Sequence, residues 1–408
     1  MKEAIKLLRT PALRSATIHL PSSKSESNRA LIINAFANGQ LFNLSEARDT
    51  QTMIRLMRSN EEVLDVLDAG TTMRFLTAFC ALTDKKKILT GTARMCERPI
   101  GILVDALRQI GPSINYLEKE GFPPIQTNGF SNQVNNVISI RGDISSQYIS
   151  AILMVAPSLP NGLTLHLEGK IASRPYIEMT LELMRNFGAK ATFHGNTITV
   201  ASGAYSPSEF HIESDWSGAS YWFSMVAVAE SAEMTLTGLK PQSLQGDNRI
   251  MEIMNPLGVE ANFTPSGLLL RKKNHDTTFS YDFSDCPDLA QTVAVTCALK
   301  NIPAIFIGLE SLKIKETDRI VALQRELHKI HATLIQSDEK TWKLTPTATI
   351  PTASGIFIET YDDHRMAMAF APLATKMDVT IDNPSVVNKS YPGFWKDMGI
   401  AGFSIQKI

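Results

Sequence analysis

Six helix-length segments that are apolar on nearly every face recur along the chain, and no other feature limits the possible folds so much. They are "SSKSESNRALIINAFA" (22–37), "AGTTMRFLTAFCAL" (69–82), "SSQYISAILMVAPSL" (145–159), "SDWSGASYWFSMVAVA" (214–229), "SDCPDLAQTVAVTCAL" (284–299) and "DDHRMAMAFAPLAT" (362–375). A helix without a polar face has to be enclosed, so these six belong inside a core. A second set alternates with them: 49–59, 98–111, 174–188, 247–258, 317–331 and, more weakly, 391–399. These are amphipathic and mostly stop at a Gly, as helices do that lie outside a core with one face in water. Short β-branched stretches such as "GLTLHLEG", "TITVAS", "EMTLTGL" and "AIFIGL" fall between the helices and read as strands.

Each repeat is therefore strand, inner helix, strand, outer helix and further strand, an α/β unit. Successive inner segments start about 70 to 77 residues apart, except that the first interval is about 47. The first unit is thus about 25 residues short, which predicts that its outer hairpin is missing. Six units divide into two halves of three, and the change from the Ser/Pro-rich "YSPSEFHIESDWSGAS" into the fourth inner helix puts the break near 210–215. No low-complexity linker separates the halves, which predicts a cleft and a hinge.

Composition narrows the function. With 44% apolar residues and a formal net charge of −1, the chain can bury two cores and has no overall attraction for nucleic acid or anionic lipid. Any basic site has to be a local concentration of charge, suited to a small anion. Cys80, Cys96, Cys286 and Cys297 lack metal-ligand spacing, and neither a signal-peptide pattern nor a membrane-length apolar run is present. A cytoplasmic protein is expected.

The amino ends of bundled inner helices carry unpaired N–H groups and the positive pole of the helix dipole, so they attract anions where they converge. Lys24, Ser25 and Arg29, Gly70 and Thr71, Ser145, Ser146 and Gln147, Asp288, and His364 with Arg365 all stand at such ends. Taken singly, each cluster also reads as an ordinary cap. Ser23 and Glu26 make an S-x-x-E capping box, Ser145 and the Asp of "YDDHR" are N-cap types, "ERPIG" places Pro in a first turn beside an Arg–Glu pair, and "KETDRI" reads as an ion-paired helix start. The caps leave the Lys and Arg residues unexplained, and these recur at equivalent places in different units. Such cations are expected to repel one another until an anion lies among them.

"LPSSKSESNRALI", "AGTTMRFL", "GTARMCERPIGILVDALRQIG", "GDISSQYISAILM", "SRPYIEMTLELMRNFG", "KETDRI" and "DDHRMAMAFA" together resemble the EPSP (5-enolpyruvylshikimate-3-phosphate) synthase family of enolpyruvyl transferases, in family order over essentially the whole chain. The resemblance implies two domains, each of three βαβαββ units around parallel inner helices: 21–213, and 1–20 plus 214–408, with the active site in the cleft between them. It also implies transfer of the enolpyruvyl group of phosphoenolpyruvate to the 5-hydroxyl of shikimate 3-phosphate, by addition and elimination through a tetrahedral intermediate. No metal or cofactor and no nucleic acid or membrane partner is implied, and a monomer is expected.

By the same resemblance, Lys24, Ser25, Arg29, Ser145, Ser146, Gln147, Ser173, Tyr176, Asp288, Ser311 and Lys315 would surround shikimate 3-phosphate. Lys24, Gly70, Arg98, Gln147, Arg319, Arg365 and Lys389 would hold phosphoenolpyruvate. Asp288 would be the base for the attacking hydroxyl, Glu316 would exchange the proton at the methylene carbon, and Lys24 would assist. Arg74 and His364 would support the site. Asp68, Phe75 and Ser311 replace the usual Asn, Pro and Asn, and Asp68 beside an anionic substrate calls for a neutralising cation, Arg74 or another. Two alternatives remain: an enolpyruvyl transferase acting on UDP-N-acetylglucosamine, for which Cys96 is the only hint, and a non-catalytic anion-binding homologue.

Overall fold

A computed structural model describes residues 3–83, 86–143, 145–347 and 355–408. The chain divides into two compact units, Ser23–Ile212 and the described residues up to Ser22 together with Glu213–Ile408. Residues 1 and 2 of the expected segment 1–20 lie outside the described residues.

In the Ser23–Ile212 unit the helices are α1 (Lys24–Ala37), α2 (Arg48–Met57), α3 (Gly70–Leu82), the short α4 (Ala93–Cys96), α5 (Gly101–Ile110), α6 (Ser146–Val155) and α7 (Arg174–Asn186). Of these, α3 and α6 are enclosed on all sides, with Met73, Phe75, Leu76, Ile149, Ile152 and Leu153 all within 1% of full burial. By contrast α2 buries Asp49, Thr50, Thr52, Met53 and Leu56, a single stripe, so inner and outer helices follow the apolar pattern.

One repeat shows the plan. Strand Val63–Asp65 runs parallel to Lys86–Thr90 across α3, and after α5 the hairpin Ile114–Tyr116 and Ile125–Asn128 joins antiparallel, Leu89 opposite Ile125. The next repeat copies it with Val137–Arg141, Leu163–Glu168 and the hairpin Ala191–His194 with Thr197–Val200. The first repeat differs. Its sheet has only Glu209–His211 parallel to Gln40–Phe42; α2 ends at Met57 and the next strand begins at Val63, which leaves no chain for a hairpin, as the short first interval predicts.

The discontinuous unit holds α8 (Trp216–Val228), α9 (Ile250–Met254), α10 (Ala290–Leu299), α11 (Arg319–Lys329), α12 (His364–Phe370) and α13 (Phe394–Ile400). Every residue of α10 and α12 is buried. Among the described residues its three sheets each have four strands, and the first strands of the chain join two of them: Ala16–His19 pairs parallel with Glu233–Thr237, and Ala4–Leu7 lies between Val379–Asp382 and Ile405–Lys407. The amphipathic segment 247–258 is not one helix. It is a 3-10 turn, Gly246–Arg249, and then the short α9, because Asn255 and Pro256 end the helical pattern early. Among the described residues no helix is long and apolar enough to cross a membrane.

Candidate active site

Four of the helix starts that read as caps carry a side-chain cap, whereas α3 and α5 have none, and Pro99 lies ahead of α5 rather than in its first turn. Ser23 accepts from the Glu26 amide, Ser145 from that of Gln147, Asp363 from that of Arg365, and Asp318 from those of Ile320 and Val321. Capping fixes the entry angles of α1, α6, α11 and α12 and so aims the cations beside them. The Arg–Glu pair near "ERPIG" is Arg94 with Glu97 at 3.1 Å; it does not involve Arg98.

Within the Ser23–Ile212 unit these ends are tied together side chain to side chain. Gln147 Nε2 donates to Thr71 Oγ1 at 3.1 Å, linking the starts of α6 and α3. Arg29 is buried, with Nε on Thr180 Oγ1 (2.7 Å), Nη1 on the Ser25 carbonyl (2.9 Å) and Nη2 on Ser150 Oγ (3.2 Å), which joins α1, α6 and α7. Burial lowers its pKa to about 10, so it stays charged at neutral pH. Its guanidinium lies 5.8 Å from the Tyr176 ring centroid. Three of five N–H donors are spent on neutral oxygens, which leaves two for an anion. Ser146 is buried at the start of α6, and Ser173 opens α7 in a left-handed conformation, φ 53°.

Lys24 reaches Asp49 Oδ2 at 3.1 Å. Arg98 stands apart: its buried Nε has no hydrogen-bond partner among the described residues, and its guanidinium lies over Gly70 so closely that a Cβ there would be 2.5 Å from Nη1 and 2.8 Å from Nη2. Arg74 supports this turn from below, with Nη1 on the Gly70 carbonyl (3.2 Å) and Nη2 on the Pro99 carbonyl (3.0 Å). The Asp68 carboxylate is held by Arg48, whose Nη2 is 3.0 and 2.7 Å from its two oxygens.

In the discontinuous unit one ionic network collects the starts of α10, α11 and α12. Arg319, 2% exposed, donates from Nε to Asp363 Oδ2 (2.7 Å), from Nη1 to Asp288 Oδ1 (3.0 Å) and from Nη2 to Glu316 Oε2 (2.9 Å). Arg365 Nη2 donates to Asp288 Oδ2 at 2.8 Å, Lys315 Nζ is 3.8 Å from Asp288 Oδ1, and Lys389 Nζ is 3.5 Å from Glu316 Oε1. His364 lies buried next to it, Nδ1 3.7 Å from Asp363. Ser311 sits in the 3-10 turn Glu310–Ile314, partly exposed.

The expected mutual repulsion of these cations is therefore corrected: Lys24, Lys315, Arg319, Arg365 and Lys389 are each already matched by a carboxylate. Burial opposes ionisation of Asp288, but Arg365, Lys315 and Arg319 outweigh it and hold its carboxyl well below the usual range. Such a carboxylate is a weak base until an anion takes those cations from it. Burial likewise lowers the Lys315 ammonium, against the pull of Asp288.

Four participants carry no sequence signal beyond that of common turn residues. Asp363 reads as a cap, yet it also pins Arg319. Ser217 Oγ donates to Asp247 and accepts from Arg365 Nη2 at 3.4 Å, so Asp247 acts on Arg365 through Ser217. Burial, and then the charge of Asp288, raise the Asp247 carboxyl to about 6. Asp49 is visible only as a buried acid beside Lys24.

Comparison with known proteins bears on the whole chain. Residues 56–398 match the family model of EPSP synthase (3-phosphoshikimate 1-carboxyvinyltransferase). A 3-phosphoshikimate 1-carboxyvinyltransferase of Bacteroides fragilis is 48% identical over 98% of both chains. Those of Methanospirillum hungatei and Vibrio cholerae are 36% and 35% identical, over 93% and 94% of this chain and 94% and 96% of theirs. The solved EPSP synthase of Acinetobacter baumannii superposes with a TM-score of 0.80 at 19% identity, covering 99% of this chain and all of that one, which establishes a shared fold.

Proposed function

This chain belongs to the EPSP synthase family, and from that premise we propose how its two polar clusters divide the family's reaction. The enzyme transfers the enolpyruvyl group of phosphoenolpyruvate to the 5-hydroxyl of shikimate 3-phosphate and releases phosphate, a step of the shikimate pathway. Ser25, Arg29, Ser145, Ser146, Gln147, Ser173 and Tyr176 hold shikimate 3-phosphate from the Ser23–Ile212 unit; Asp288, Ser311 and Lys315 meet it from the other. Phosphoenolpyruvate takes Lys24, Gly70, Arg98 and Gln147 on one side and Arg319, Arg365 and Lys389 on the other. Both units, divided as 21–213 and 1–20 with 214–408, have to close on one pair of substrates.

The 5-hydroxyl oxygen bonds to C2 of phosphoenolpyruvate while Asp288 takes the hydroxyl proton and Glu316 delivers a proton to the methylene carbon, giving a ketal phosphate. The C2–O bond to phosphate then breaks, and Glu316 takes a proton back from the methyl group to restore the double bond. Lys24 balances charge on the phosphoenolpyruvate oxygens in both steps. Arriving phosphate and carboxylate groups displace Asp288 and Glu316 from their arginines, so substrate binding itself raises the basicity of the two carboxylates.

That linkage carries the reading: Asp288 and Glu316 sit on one arginine, Arg319, at 3.0 and 2.9 Å. A single chain supplies every group named, which supports a monomer, and a cytoplasmic place suits free thiols at all four cysteines. Phosphate release should require phosphoenolpyruvate and shikimate 3-phosphate together. Release with UDP-N-acetylglucosamine instead, or with neither acceptor, would refute the assignment.

A further inference from the structure

The turn that leads into Gly70 contains an acid where an anion has to bind. Strand Val63–Asp65 ends, the chain turns through Val66–Ala69, and α3 starts at Gly70. Asp68 is two residues from that helix start, within about 8 Å by backbone reach, and about one Debye length at physiological salt. A carboxylate so close to the Gly70 amide and Arg98 opposes the binding of any anion there.

The turn is held by α2. Arg48 and Arg55 stand seven residues apart, so they project from one face of that helix. Arg55 Nη2 donates to the Asp65 carbonyl at 3.0 Å, and Arg48 Nη2 reaches both oxygens of Asp68. Further bonds fix the middle: the Leu67 amide donates to Asp65 Oδ1 at 2.7 Å, and the Thr92 amide to the Leu67 carbonyl at 2.9 Å. Between them Leu67 is left-handed, φ 56°, a conformation that its Cβ disfavours and that only surrounding restraints maintain.

An ion pair with side chains 50% and 34% exposed adds little to stability, so stability does not account for it. We propose that Arg48 is a charge-compensating and positioning residue for the anion site at Gly70 and Arg98: it neutralises Asp68 and fixes the turn that presents Gly70, and thereby sets the affinity for phosphoenolpyruvate. This deepens the proposed function and rests on its assignment of Gly70 and Arg98 to that substrate.

The test is a charge cycle of Arg48→Ala, Asp68→Asn and the double variant, with the full-length wild type in the same assay. Phosphoenolpyruvate is varied at saturating shikimate 3-phosphate, at low and at high salt. Arg48→Ala should raise KM for phosphoenolpyruvate about five- to tenfold with kcat within about twofold, and high salt should shrink the difference. Asp68→Asn should stay near wild type, and the double variant should return KM to within about twofold of Asp68→Asn. A double variant as impaired as Arg48→Ala, or Arg48→Ala with a lowered Tm and an unchanged KM, overturns the proposal and makes Arg48 structural. An inactive wild type would instead sink the parent reading, so the two failures are distinguishable.

Discussion

Asp288→Asn should slow catalysis and strengthen anion binding at once. The carboxylate has Arg365 Nη2 at 2.8 Å on one oxygen, Arg319 Nη1 at 3.0 Å on the other, and Lys315 at 3.8 Å. An asparagine can accept from only one guanidinium and turns its NH2 toward the other. Breaking a buried ion pair costs about 3–5 kcal/mol. Arg319 keeps Asp363 and Glu316 at 2.7 and 2.9 Å, which places the expected loss nearer about 2–3 kcal/mol. The same change removes a like charge from the place of an incoming phosphate. At about 4 Å and an effective dielectric of about 20 that repulsion is about 4 kcal/mol; if half or less survives relaxation and screening, the Kd for inorganic phosphate or phosphoenolpyruvate falls about tenfold. Turnover should drop at least about a hundredfold, the scale for a positioned base. Calorimetric titration with phosphate, melting with and without phosphate, and steady-state rates test all three. Phosphate should raise the Tm of the variant more than that of the wild type. Weaker phosphate binding in a folded variant would refute the place-holding argument, and near wild-type turnover would remove Asp288 from its role as base.

Glu316→Gln should lower turnover at least about a hundredfold and leave the melting profile cooperative; hydrogen–deuterium exchange at the methylene carbon should slow in parallel, and unchanged exchange would reassign that proton step. Gly70→Ala puts a methyl group 2.5 Å from Arg98 Nη1, so Arg98 has to move. KM for phosphoenolpyruvate should rise about tenfold or more, with little change in KM for shikimate 3-phosphate, and equal changes in both would argue against Arg98 as the displaced group. Asp247 has a carboxyl raised to about 6 in the folded protein against about 3.9 unfolded. Between those values the folded state holds more protons, so this group's contribution falls as pH rises from about 4 to 6. Asp247→Asn should flatten that part of the stability curve, and an unaltered pH profile of unfolding would show that Asp247 is not protonated there.

The architecture is legible because enclosure leaves a compositional mark. Segments such as 290–299, buried at every position, have no polar face, and six largely apolar segments, whose intervals are near-equal except the first, define the units without any distance information, although α1 leaves Ala35 exposed. The missing hairpin is legible for the same reason, since a shortened interval has nowhere to lose residues except from the outer strands. Segment 247–258 reads as a full helix because its apolar spacing continues past Met254, and only Asn255–Pro256 shows where the backbone stops following it.

Charge pairing leaves no such mark. Lys24, Arg319, Arg365 and Lys389 are conspicuous as cations in apolar helix starts, but their partners Asp49, Asp363, Asp288 and Glu316 look like caps and turn acids. Sequence spacing gives no sign that they converge. The consequence reaches the chemistry. Bare cations crowded at the helix starts of either unit would have to be held there at a cost in stability, and the first anion to arrive would bind without discrimination. Cations already matched to carboxylates bind an anion only by exchange, and exchange favours a ligand that takes several of them together. A ligand with both phosphate and carboxylate would do so, and in the proposed mechanism the carboxylates it releases are the groups that have to become basic. Among the described residues Arg98, with its unpartnered Nε, is paired with no carboxylate, so it can take an anion without exchange.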